Sequence, residues 1–95
     1  MYARVVRFTD VSPERIAEVV ERVEQSGGPP PGVDSNGIKL LVDEDQGTAV
    51  FVGFFETEQK LRDGSKVLEE MDASQTPGTR ASVDLCEVKI ERSTG

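Results

Sequence analysis

The sequence predicts an α+β domain in which two helices cover one face of a four-stranded antiparallel sheet. Three observations lead there: six segments follow one another with the periodicities of strand, helix, strand, strand, helix and strand; both helical segments are amphipathic; and one strand, FVGFF at 51–55, is apolar at every position.

The first strand is YARVVRF, from Tyr2 to Phe8, rich in β-branched and aromatic residues and stopped by the polar pair Thr9 and Asp10. Ser12 then suits an N-cap, Pro13 the first helical position and Glu14 the positive end of the helix dipole. Ile16, Val19, Val20 and Val23 recur at helical spacing, while Glu18, Glu21, Arg22 and Glu24 take the other face. SGGPPPGVDSNG, residues 26–37, is a loop: Gly27 or Gly28 can adopt the left-handed cap conformation, and three prolines hold the next segment extended. GIKLLVD forms the second strand, DEDQG a hairpin turn and GTAVFVGFFE the third strand. Thr57 caps a second helix, EQKLRDGSKVLEEM, whose stripe of Leu61, Leu68 and Met71 is interrupted by the small pair Gly64 and Ser65. A mid-helix glycine costs about 1 kcal/mol of propensity, so small residues there point to close approach of helix and sheet. After TPGT comes the last strand, RASVDLCEVKI.

This order is the βαββαβ arrangement of ferredoxin-like folds, in which right-handed crossovers place both helices on one sheet face and leave the other bare. FVGFF bears directly on that bare face. Successive strand residues point to opposite faces, so Phe51, Gly53 and Phe55 share one side and Val50, Val52 and Phe54 the other, and neither side is polar. Leu41 belongs to the bare face, with Ile38, Leu40 and Val42 opposite. In the last strand the apolar phase shifts from Val83 and Leu85 to Cys86, Val88 and Ile90, as a bulge or a change of buried face would require. A bare apolar face of this kind implies a second subunit packed upon it. Leu41 and Phe51 are the seam candidates, the face of the third strand that meets the partner being left open.

Size and charge bound the function. Ninety-five residues make one domain, spanning residues 1–95, and a chain of this length buries only about 60 to 65% of its unfolded surface. The apolar fraction, 36%, is low for strands buried on both sides, which again points to a homodimer. Eighteen acidic against eleven basic residues give a net charge of -7, with no Lys/Arg cluster among the aromatics, so nucleic acid is not the expected partner. Apolar runs fall far short of a bilayer span, and the N-terminal MYARVVRF lacks the pattern of a signal peptide, so a cytoplasmic chain is expected, with no membrane partner. One cysteine, Cys86, leaves no intramolecular disulfide and fits a reducing compartment.

The stretch GTAVFVGFFETEQKL, an aliphatic strand ending in a large aromatic and followed by a Thr helix cap and acidic residues, resembles the antibiotic biosynthesis monooxygenase-like proteins of the dimeric α+β barrel superfamily. The order of strands and helices extends the resemblance more weakly over nearly the whole chain. It implies a homodimer with sheets packed face to face, and a small-molecule pocket between helices and sheet in each subunit. It implies a cofactor-independent oxygenase acting on an apolar or aromatic molecule; the alternative is a non-catalytic dimeric module whose second sheet face serves only assembly or a protein partner. Haem-degrading relatives use an Asn, a Trp and a proximal His. This chain has no histidine and no tryptophan, and the Trp position falls near Gly64, so haem is not expected. Phe55 stands where the family commonly places a strand-end Trp.

Candidate site residues are few. With no histidine, acid-base work would fall to a carboxylate, a lysine, the cysteine or Tyr2, whose phenol at the start of the first strand can reach a pocket or orient packing at a sheet edge. Asn36, the only asparagine, is the second catalytic candidate, although it lies in the loop before the second strand with no motif around it. Phe51, Phe54, Phe55 and Leu61 are the candidates for binding an aromatic substrate, against the plainer reading that such residues fill core and seam. Asp43, Glu44 and Asp45 resemble the start of a calcium loop, but Phe54 stands where its bidentate acid belongs, so a solvated turn is the better reading and no metal is expected. Cys86, with acidic neighbours in a strand, reads as a small buried core residue rather than a reactive thiol.

Overall fold

The computed structural model describes residues 1–70 and 76–94. Four strands, β1 (Tyr2–Thr9), β2 (Gly37–Asp43), β3 (Thr48–Phe55) and β4 (Thr79–Glu87), form one antiparallel sheet in the order β2-β3-β1-β4. Helices α1 (Pro13–Ser26) and α2 (Glu58–Glu69) complete the ferredoxin-like βαββαβ chain. Each helix begins as its sequence dictates: Ser12 Oγ accepts from Arg15 N, and Thr57 Oγ1 accepts from Lys60 N. Gly27, at φ 72°, takes the left-handed cap of α1. Met71, expected on the apolar stripe of the second helix, lies outside the described residues.

Cross-strand pairing fixes the two faces. Tyr2, Arg4, Val6 and Phe8 of β1 pair with Phe55, Gly53, Phe51 and Ala49 of β3, and this set looks toward the helices. Two clusters form the core. One joins Val6, Phe8 and Ala49 with Ile16, Leu40, Phe51 and Val83; the other joins Val33, Phe55 and Leu61 with Tyr2, Val67 and Leu68. The proline loop feeds the second cluster, because Val33 N donates to the Pro30 carbonyl and the chain folds back to bury Val33.

The opposite face carries Leu41 of β2, Val50, Val52 and Phe54 of β3, Ala3 and Val5 of β1, and Cys86 of β4. Leu41 is 55% exposed. Three expectations from the sequence do not hold. Phe51 is not a seam residue: in register with Val6, it is turned toward the helices. Cys86 is exposed on the bare face, paired with Ala3, rather than buried in the core. The irregularity of the last strand lies not at Leu85 and Cys86 but further back, where Arg7 pairs with Ser82 and Phe8 with Arg80, so that Ala81 is the extra residue of a bulge. β4 ends at Glu87; Val88 N still donates to the Met1 carbonyl, after which Ile90 stands 81% exposed.

Candidate functional site

The two helices treat the sheet differently, and that difference creates the candidate site. α2 docks tightly. A Cβ on Gly64 would come within 2.8 Å of Phe55 Cε1, so only glycine lets the helix lie against that ring, which is 1% exposed. Leu61 closes the same space, and Lys60 Nζ, 3.1 Å from Asp34 Oδ2, ties the proline loop to the helix. The hydrogen bond and charge of Asp34 raise the Lys60 pKa above its ordinary value.

α1 turns only Val19 fully inward, with Ile16 half-buried, and its neighbours Val20 and Val23 remain exposed. Between this helix and strands β2 and β3 runs a groove of 210 Å³, walled by Val19, Val20 and Val23 from the helix and by Ile38, Leu40 and Phe51 from the sheet. Glu24 at its rim is its one charged wall residue. An apolar cavity of about 150 Å³ holds a benzene molecule, so this groove has room for one ring with substituents. Arranged this way, the groove can bind by burial and shape; it offers a reacting molecule little polar chemistry.

The predicted site residues do not gather at one place. Of the four substrate-binding candidates, Phe51 lines the groove, Phe55 and Leu61 are sealed under α2, and Phe54 lies on the opposite face of the sheet. Tyr2 packs against the Phe55 cluster. Asn36 is exposed, its backbone N donating to the Phe54 carbonyl at 2.7 Å. Neither lines the groove. The apolar groove residues outside the expected set, Val19, Val20, Val23, Ile38 and Leu40, carried a signal in the helical stripe and in the alternation of β2, but both patterns equally describe core.

Other features are structural. The acidic turn is closed by Gln46 N donating to Asp43 Oδ1, and the depression beside it, lined by Val42 to Asp45, is shallow and faces water. Among the described residues no three His, Cys, Asp or Glu side chains converge as metal ligands, and no helix is long and apolar enough to cross a membrane. In comparisons with known proteins, no family model, no curated protein and no solved structure matches this chain.

Proposed function

We propose that the chain is a homodimeric α+β barrel that holds a small apolar or aromatic molecule in the groove between α1 and the sheet. The observation that carries the binding reading is the groove itself: an apolar, ring-sized space left open on a face whose other half is packed solid. The bare face supports the dimer. A compact monomer of 10.4 kDa exposes about 5,400 Å², whereas this chain exposes 6508 Å². The exposed loop at 26–32 and the exposed residues 89–94 contribute to that excess along with the bare face.

The monooxygenase resemblance extends the reading to oxidation of the bound molecule. Such chemistry holds an electron-rich substrate beside dioxygen in a dry cavity and depends more on shape than on a fixed triad. With Tyr2 and Asn36 away from the groove, binding is better supported than catalysis. That same placement favours a second reading, a dimeric structural or protein-interaction module without chemistry.

Native mass spectrometry of protein isolated from its own host separates the two. The expected result is a dimer with an added mass on the order of one to a few hundred daltons. A bare dimer favours the structural module, and a monomer overturns the seam. The substitution Leu41→Asp is expected to convert the dimer to monomer; an unchanged dimer refutes burial of this face.

A further inference from the structure

The sheet face that no helix covers carries charge in a pattern fixed by its register. Its residues stand in rows across the order β2-β3-β1-β4. One row runs Lys39, Val52, Val5, Asp84, and the next runs Leu41, Val50, Arg7, Ser82. The first row therefore has a cation at one edge of the sheet, an acid at the other and two valines between them. Three strand spacings, roughly 14 Å, separate its ends, too far for Lys39 and Asp84 to pair within one chain. Both are exposed, and among the described residues neither takes part in an ion pair. The chain as a whole is acidic, with a net charge of -7. On this face, however, the strands set Lys39 and Arg7 against Asp84 and Asp43, an even balance that suits contact with a like-charged copy.

Two copies of one face meet about a two-fold axis, and stacked sheets of the aligned class keep their strands within about 30° of each other. Two axis directions satisfy both conditions. An axis across the strands lays each strand over its own copy, so the Lys39 edge meets a Lys39 edge and the Asp84 edge an Asp84 edge. Like charges then gather at both margins. An axis along the strands exchanges the edges, laying β2 over the partner's β4. A two-fold axis carries no translation, so each row meets the same row reversed: Lys39 faces the partner's Asp84, and Val52 the partner's Val5. The same axis brings the free edge strands β2 and β4 of the two copies together in antiparallel directions, the sense in which open edges pair readily.

We propose that the bare face receives a second copy of this chain about a two-fold axis parallel to the strands, with Lys39 of each copy against the partner's Asp84. The proposal rests on the homodimer described above and fixes its arrangement. Val5, Val52, Phe54 and Leu41 supply the apolar contact, while the edge charges select which way round the copies meet. Each edge pair stays near water and is weak alone, but the symmetry makes every one of them twice.

Charge exchange in the full chain tests the arrangement, read by sedimentation and by native mass spectrometry with one variant isotopically labelled. Lys39→Glu and Asp84→Lys are each expected to weaken the dimer by about tenfold or more, since each reversal sets like charges together twice. Asp84→Lys is the sharper of the two: it reduces the net negative charge, so general repulsion between acidic chains would tighten the dimer, and only a specific contact weakens it. An equimolar mixture of the two variants is expected to recover the natural affinity as a heterodimer, in which every edge contact again joins opposite charges. A chain carrying both substitutions is expected to dimerise with itself and to avoid the natural chain, which keeps the test open should either single variant fail to fold. Single variants that dimerise like the natural chain, a mixture without preferred heterodimer, or free exchange between the doubly substituted and natural chains overturn the axis and leave the homodimer standing. A natural chain that is monomeric overturns the homodimer itself, and the arrangement with it.

Discussion

α1 and α2 begin with the same capping chemistry and face the same side of one sheet, yet α2 approaches three strands closely and α1 approaches none of them as closely. The cause is local. α2 meets the sheet with Leu61, Gly64 and Ser65, a large side chain beside two small ones, so backbone and ring come together without a gap. α1 turns Ile16 and Val19 to the sheet, while Val20 and Val23 stay exposed along the groove. Tight docking produces stability, and loose docking leaves a cavity. In a small domain, one helix can serve the fold while the other is left to serve a ligand.

Removing the ring under α2 should show the first half of this contrast. Phe55→Ala deletes a fully buried side chain that the backbone of α2 is fitted around, and losses of this type run at about 3 to 5 kcal/mol. A chain of this length has about 5 to 14 kcal/mol in total. Urea unfolding is expected to show most of the stability gone; a loss below about 1 kcal/mol would mean that Phe55 does not anchor the helix. Because Phe55 is sealed away from the groove, uptake of an aromatic molecule by the folded fraction should be retained, which also separates its packing from any part in chemistry.

The second variant sharpens the contrast by setting two effects against each other. In an ordinary helix interior Gly→Ala is stabilising by about 1 kcal/mol. At Gly64 the new methyl would lie 2.8 Å from Phe55 Cε1 and 3.5 Å from Val33 Cγ1. Overpacking of a filled core costs about 1 to 3 kcal/mol, so Gly64→Ala should show no gain and a net loss of up to about 2 kcal/mol. A stabilised Gly64→Ala would show that ring and helix have slack between them.

Much of the α2 side was legible in the sequence. Thr57 announced the cap, the leucine stripe announced the buried face, and the pair Gly64 and Ser65, costly anywhere else in a helix, announced close approach. The element order and the bare face with Leu41 followed from alternation and from the rule that crossovers share a hand. What alternation could not supply was the choice of face in β3. FVGFF is apolar on both sides, and only pairing with β1 shows that Phe51 and Phe55 look inward and Phe54 outward. The same lack of phase hid the bulge at Ala81, which depends on how Phe8 and Arg80 meet across strands. The groove was invisible for a different reason: a valine stripe reads as core whether or not the helix closes on the sheet, and separation between elements is not encoded in their periodicity. Nothing in the strand YARVVRF marks Arg4 as buried; only the fold places it inside.

The smallest expected effect on stability falls on α1. Val20 is exposed on the groove wall, and its replacement by phenylalanine adds a ring to space that the fold leaves open while hardly changing helix propensity. Val20→Phe should therefore alter stability by no more than about 0.5 kcal/mol, against the larger losses under α2. Its effect on binding should be the reverse. Toluene, a single substituted ring, is expected to perturb the methyl NMR signals of Val19, Val23 and Leu40 in the natural chain and to leave them unmoved in Val20→Phe. A loss of about 2 kcal/mol or more on introducing the ring would show overpacking, and so a helix as tightly docked as α2. Neutral stability with toluene still bound would mean that ligands enter elsewhere. Only the combination of an unperturbed fold and a lost ligand assigns the loose helix to binding and the tight one to folding.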